Sequence, residues 1–169
     1  IYDLGCSWGA SLLSAAREAT CKQCQLIGVD NSEAMLSQAS AHLAQFPEAS
    51  RIELLHADIL ETSLEDASVV IMNYTLQFIA VEERASLLRR IRAAMRPGDV
   101  LILSEKLALP DQQLNEYLID LHHDFKRQQG YSDLQIAQKR QALEDVLVPE
   151  TRQAHVARLQ EVGFDRCDI

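Results

Sequence analysis

Long apolar runs are missing from this sequence. No stretch approaches the ~20 residues needed to cross a bilayer, and no signal peptide is visible, so neither a membrane span nor secretion is expected. Positive charge is also scarce: 16 Lys and Arg stand against 25 Asp and Glu, a formal net charge of −9. Nucleic-acid binders carry a basic stripe over their phosphate contacts, so a broad nucleic-acid surface is excluded, whereas a local basic pocket is not. No Gly-x-Ser-x-Gly elbow occurs, which leaves serine-hydrolase chemistry without support. Internal repeats and low-complexity segments are absent as well.

Cysteine is sparse, with Cys6, Cys21, Cys24 and Cys167 the complete set. Cys21-Lys22-Gln23-Cys24 is a lone C-x-x-C with no second pair to complete a four-ligand zinc site, and it reads as a surface loop between helix and strand. His122-His123-Asp124 resembles a metal cluster in composition, but adjacent helical positions diverge, so two ligands would not converge. No metal site is expected. Unpaired thiols without a signal sequence suggest a reducing cytoplasm. The chain opens inside what reads as a core strand, without Met, and stops at Asp168-Ile169 where another strand begins; a fragment of a longer chain is expected.

What is present is ordinary for a soluble globular protein: 47% hydrophobic and 24% charged residues in a 169-residue chain, enough for one domain with a substantial core. Short β-type runs alternate with helical patterns through the first two-thirds. Tyr2-Asp3-Leu4 ends a strand, and Ser11 to Ala19 suits a helix. Gln25 to Val29 is a buried strand, and Asn31 or Ser32 caps a helix with Met35, Leu36, Ala39 and Leu43 on its stripe. Arg51 to His56 and Ser68 to Met72 read as strands, Glu82 to Met95 as a helix, and Val100 to Leu103 as a strand after the Pro97-Gly98 turn. This alternation predicts an α/β protein with a Rossmann-like, doubly wound, mostly parallel sheet.

After Ser104 the pattern changes. Asp111 to Arg127, Asp133 to Leu147 and Thr151 to Val162 are helical in succession, and consecutive helices cannot all be crossovers between neighbouring strands. The reading is a single domain over 1–169, with a helical insertion at about 108–150 laid over the carboxyl edge of the sheet.

Ligands of such sheets sit beyond the carboxyl ends of the strands. The residues there are Gly5-Cys6-Ser7, Asp30-Asn31, Asp58-Ile59, Asn73-Tyr74 and Glu105-Lys106. Gly5 lets the backbone approach a cofactor tail, and the Asp30 carboxylate can accept two hydrogen bonds from a ribose diol. Asp58 can accept from an adenine amino group, Ile59 offers an apolar face to the ring, and Asn73 can bond an amino-acid portion. Asp30 is also compatible with a plain helix cap, Asp58 with a solvated loop acid, and Trp8 with packing as much as with a cofactor border. Ser7 occupies the middle of the usual G-x-G-x-G, which loosens the glycine signature and weakens a nicotinamide reading. The joint placement of the glycine turn and the acids after successive strands favours an S-adenosylmethionine-type enzyme. Lys126-Arg127 and Lys139-Arg140 break the acidic background of the insertion. Such pairs usually face solvent, yet an arginine aimed at the pocket would grip a carboxylate bidentately.

The stretches YDLGCSWG (2–9), IGVDNS (27–32), NYTLQF (73–78), SEK (104–106) and above all HHDFKRQQGYSDLQIAQKR (122–140) resemble the carboxy-S-adenosylmethionine synthases. The resemblance implies a class I methyltransferase fold that does not methylate. It implies conversion of S-adenosylmethionine and prephenate to carboxy-S-adenosylmethionine, phenylpyruvate and water. The product then serves a separate enzyme acting on a tRNA wobble uridine, without direct nucleic-acid contact here. Carried over by motif, Gly5, Cys6 and Ser7 fall on the cofactor-tail loop, Asp30 and Asn31 on the ribose site, Asp58 and Ile59 on the adenine site, and Asn73 on a further cofactor contact. Arg140 falls on the arginine that binds the added carboxylate. Two other readings stand beside this one: an ordinary small-molecule methyltransferase, and a non-catalytic S-adenosylmethionine-binding subunit. Lys106, Arg127 and Tyr131 are guesses for prephenate contacts. Leu118, Leu121 and Leu134 suggest a homodimer surface.

Overall fold

The computed structural model describes residues 1–21, 23–144 and 146–169, and leaves aside the side chains of Lys139, Ala142 and Glu144. Lys22 of the C-x-x-C and the Lys139 side chain therefore lie outside the described residues. Five parallel strands form one sheet in the order β3-β2-β1-β4-β5: β1 (Tyr2–Leu4), β2 (Leu26–Asp30), β3 (Ile52–His56), β4 (Val69–Asn73) and β5 (Val100–Ser104). Helices α1 (Ala10–Glu18), α2 (Glu33–Leu43) and α3 (Val81–Ala93) lie between β1 and β2, β2 and β3, and β4 and β5. The doubly wound parallel sheet of the sequence reading is what forms.

Alternation along the strands divides the core into two layers. Tyr2, Leu4, Val29, Val70 and Met72 pack against Leu87, Leu88 and Ile91 of α3. On the opposite face Cys6, Leu12, Ala16, Leu26 and Leu36 form a second cluster that includes α1 and α2. Gly28 belongs to that second face, where an added Cβ would stand 2.6 Å from Leu12 and 2.9 Å from the Cys6 Sγ. The absence of a side chain there is what lets α1 lie close to the sheet.

Strand ends differ from the sequence reading by about a residue. Asp30 and Asn73 are the last residues of their strands rather than the first of the loops. The final helices are α4 (Gln112–Gln128), α5 (Asp133–Glu144) and α6 (Arg152–Glu161), capped by Asp111 on α4 and Thr151 on α6, whose side chains accept from Leu114 N–H at 3.0 Å and Ala154 N–H at 3.2 Å. The helix expected over 133–147 stops at Glu144, and Val148 instead donates its N–H to Gln77 O at 2.9 Å. That bond, absent from any local sequence pattern, draws the backbone out of the helix. Helix α6 packs on α3, and α4 packs on α5. Among the described residues no helix is long and apolar enough to cross a membrane.

Candidate functional site

The carboxyl ends of β1, β2 and β4 open into a cavity of about 570 Å³. Gly5, Ser7, Asp30, Asn31, Asp58, Ile59 and Asn73 all line it. Positions far apart in the sequence are thus brought together, because each lies at or just beyond the end of a parallel strand.

Gly5 adopts φ 80°, and a Cβ there would lie 2.4 Å from Thr75 Oγ1. Only glycine fits between the loop after β1 and the loop after β4. Its N–H, like that of Cys6, donates to Val29 O, at 2.8 and 3.0 Å respectively, which fixes the turn to β2. Ser7, the departure from the glycine pattern, takes φ 50°, and Tyr74 takes φ 56°. Left-handed backbone at non-glycine residues is uncommon, and for a bulky aromatic it is a clear outlier. Both strained residues lie in loops that line the cavity.

Asp30 is not the cap of α2. Ser32 is, accepting from Met35 N–H at 3.3 Å. The Asp30 carboxylate instead accepts Ser7 N–H on Oδ2 and Ser32 N–H on Oδ1, both at 2.9 Å, so it ties the β1 and β2 loops together. Each oxygen retains a lone pair for a further donor. Asp58 is exposed and partly engaged locally, its Oδ1 accepting Leu60 N–H at 2.8 Å, while Ile59 beside it is buried against the main core. Asn73 donates from Nδ2 to Ser11 Oγ at 3.0 Å.

Cys6 belongs to the tail loop by its backbone alone. Its thiol is buried with Leu12 and Leu26, and burial, followed by the charges of Asp3 and Asp30, pushes it up to about 12. A thiol so held is no nucleophile. Trp8 is exposed and tilts against His42 with ring centroids 5.6 Å apart, away from the cavity lining. Asp3, the acid just before the glycine turn, is buried beneath the site. Burial and then the charge of Asp30 raise its carboxyl to about 7.

Arg140 is exposed on α5 and is not among the residues lining this cavity. Arg127, one of the guessed prephenate contacts, pairs with Asp124 at 2.5 Å and Asp133 at 2.8 Å on the surface. Tyr131 and Lys106 are exposed, and neither lines the cavity. His122 and His123 lie on α4, and among the described residues no three His, Cys, Asp or Glu side chains gather as a metal group.

Sequence reasoning misses Thr75 and the task of Glu105. Glu105, half-buried after β5, accepts Thr75 and Leu76 N–H on Oε1 at 3.1 and 2.8 Å and Gln77 N–H on Oε2 at 3.0 Å. Its carboxylate shapes the 3-10 turn that comes after Asn73. Burial raises the carboxyl in spite of those three donors. The position of Glu105 past a strand end is legible in the sequence, but nothing there shows three amides converging on it.

A methyltransferase-domain family profile matches residues 1–98. Solved structures share the fold: the cyclopropane synthase MmaA2 of Mycobacterium tuberculosis has a TM-score of 0.72 at 16% identity, covering 99% of this chain and 55% of that one. A putative methyltransferase of Bacillus halodurans has 0.72 at 14%, covering 99% and 63%. The [4+2]-cyclase SpnF has 0.66 at 16%, covering 99% and 52%. Neighbours named for cyclopropanation and cycloaddition show that this fold does not dictate methyl transfer. Close sequence relatives are narrower. The carboxy-S-adenosyl-L-methionine synthase of Aliivibrio fischeri is 48% identical over 169 residues, all of this chain and 70% of that protein. The enzyme of the same name from Vibrio cholerae is 48% identical over 100% of this chain and 69% of its own. On that likeness the chain belongs to the carboxy-S-adenosyl-L-methionine synthase family.

Proposed function

We propose that this protein makes carboxy-S-adenosyl-L-methionine from S-adenosylmethionine, with prephenate as the source of the carboxyl group, and that the product is a carboxymethyl donor for a separate cytoplasmic tRNA-modifying enzyme. The observation that carries the reading is the convergence of Gly5, Ser7, Asp30, Asn31, Asp58, Ile59 and Asn73 on one cavity in a chain 48% identical to enzymes of that name.

The chemistry balances without a protein base. Prephenate loses carbon dioxide and hydroxide to become phenylpyruvate. The hydroxide takes a proton from the sulfonium methyl, giving water and an ylide, and the ylide carbon bonds to carbon dioxide. Bulk water would quench that carbanion, so the site must close. The chain's own contribution is to hold the nucleoside on Asp30 and Asp58, seat the tail on the Gly5 loop, and exclude solvent. Arg140 is assigned to the new carboxylate. Because Arg140 is exposed on α5, that role requires closure of the helical segment, or a second subunit, to bring it to the cavity. A cation beside a sulfonium is of no use to a methyltransferase, and this separates the reading from ordinary methylation.

A homodimer through α4 belongs to the same reading. None of the described side chains on this 17-residue helix is buried, and Leu114, Leu118, Leu121 and Phe125 repeat at helical spacing, each roughly half exposed.

Native mass spectrometry of the ligand that co-purifies with the full-length protein tests the reaction. A species heavier than S-adenosylmethionine by one carbon dioxide is expected, together with turnover of prephenate. Plain S-adenosylmethionine or its demethylated form, without prephenate turnover, would favour a methyltransferase. Tight binding without any turnover would favour a non-catalytic subunit. In calorimetry, Arg140→Ala should weaken the carboxylated product by about 10-fold or more while changing S-adenosylmethionine little. Equal losses for both ligands would remove Arg140 from the role.

A further inference from the structure

The two ends of the helical segment meet just beyond β5. Leu107 pairs with Glu150 in an isolated parallel bridge, and Ala108 N–H donates to Glu150 O at 2.9 Å. Beneath that junction lies Arg84 of α3, the largest fully buried side chain among the described residues. Its Nε donates to Ile79 O at 2.9 Å, and its Nη2 donates to Gln77 O at 3.2 Å and to Val148 O at 2.9 Å. Its Nη1 pairs with the Glu150 carboxylate, which Arg158 of α6 also grips at 2.8 and 2.5 Å.

Two segments therefore hang on one guanidinium. Gln77 and Ile79 belong to the loop after Asn73, whose Tyr74, Thr75, Phe78 and Ile79 line the cavity. Val148 and Glu150 are the return end of the helical segment. Glu105 holds the same loop from the other side by its amides, so the loop has a carboxylate on its N–H groups and a guanidinium on its carbonyls. Burial alone would raise the Glu150 carboxyl, but its bonds to Arg158 and Arg84 outweigh this and hold it below the usual carboxylate range. A fork of fixed donors can serve three carbonyls and a carboxylate at once, which a lysine cannot.

We propose that Arg84 and Glu150 are positioning residues for the reaction: the pair locks the root of the α4–α5 segment to the cavity loop, so that the segment closes over bound ligand in one register. Neither side chain touches substrate. Arg84 acts through Gln77 and Val148, and the Glu150 carboxylate acts by tying Arg84 to Arg158 of α6 beside the backbone bond from Ala108 N–H to Glu150 O. The proposal rests on the synthase reading for its kinetic test but not for its structural one.

The two residues are not equivalent, and the difference supplies the experiment. Glu150→Gln keeps the shape and leaves Arg84 bonded to the Gln77, Ile79 and Val148 carbonyls, so the loop side is kept. The segment side is loosened only where the carboxylate ties Arg84 and Arg158 together. Arg84→Lys removes the fork and disturbs both sides. With the full-length protein, hydrogen exchange, S-adenosylmethionine affinity and prephenate kinetics are measured for each. For Glu150→Gln, amides of 112–128 and 133–144 should exchange about tenfold faster while β1 and β2 are unchanged. Affinity for S-adenosylmethionine should stay within about twofold, and kcat should fall about tenfold or more. Arg84→Lys should also weaken S-adenosylmethionine by about fivefold or more, because the loop itself moves. Faster exchange spread evenly over sheet and segment would make the pair a general stabiliser and overturn the proposal, as would unchanged exchange and kcat in both variants. If the parent protein fails to turn over prephenate, the synthase reading fails while the exchange result still decides the anchor.

Discussion

Helices α3 and α4 obey opposite rules. Over 13 residues α3 buries Leu87, Leu88 and Ile91 in the sheet's core and Arg84 beneath the segment junction, whereas α4, over 17 residues, buries none of its described side chains. The first is held by apolar area removed from water. The second is strongly two-faced in sequence, yet its apolar stripe is uncovered, so its place depends on the capping Asp111, its contact with α5, and the junction at Ala108 and Glu150. The contrast separates stability from function: the sheet half builds and presents the cavity, while closing it is the part proposed for the helical half.

The largest way to break the sheet half is at its tightest point. Gly5→Ala should place a methyl against Thr75 Oγ1 on a backbone that L-residues avoid. It is expected to weaken S-adenosylmethionine by about 100-fold or more in calorimetry and to lower the melting temperature as well. Normal affinity in this variant would mean that the two loops are not as closely engaged as their geometry implies.

A smaller test uses the buried acid under the site. Asp3 has its carboxyl raised from 3.8 to about 7, so between those values the native state holds a proton that the unfolded chain has lost. Its contribution to stability is therefore full below pH 3.8 and is lost as pH rises to about 7. Asp3→Asn should match the parent in denaturant unfolding near pH 4 and exceed it at pH 8 by on the order of 2–4 kcal/mol. Parallel stability curves for the two proteins across that range would refute the proton assignment.

The smallest stability effect belongs to the helical half, and it sharpens the contrast. Leu118→Glu combined with Leu121→Glu should shift the unfolding free energy by only about 0.5 kcal/mol, because both side chains are already exposed. The same variant should sediment as a monomer if α4 is the dimer surface. A large loss of stability in a protein that stays monomeric throughout would show that this face is covered by the chain's own fold.

Much of the site is legible in the sequence because parallel α/β folds place ligand groups at predictable positions, the ends of strands. The residues at the carboxyl end of each β-type run already include Gly5, Asp30, Asp58 and Asn73. The role of Asp30 is not legible in full. Its spacing to Ser32 suits a helix cap, but the fold gives that task to Ser32 and turns the carboxylate toward the Ser7 amide as well. Arg140 is named by a motif, and its distance from the cavity lining cannot be read from that motif.

What the sequence by itself determined is whatever depends on local periodicity and strand ends: the parallel sheet, the order of its helices, the glycine turn, and the group of polar residues gathered at the carboxyl edge. What only the tertiary structure decided is whatever depends on contacts between distant segments. Arg84 looks like one more charge on an amphipathic helix until Gln77, Val148 and Glu150 converge on it, 7, 64 and 66 residues away in the chain. The physical reason is that a guanidinium is costly to bury without partners, and those partners exist only once the chain has closed on itself.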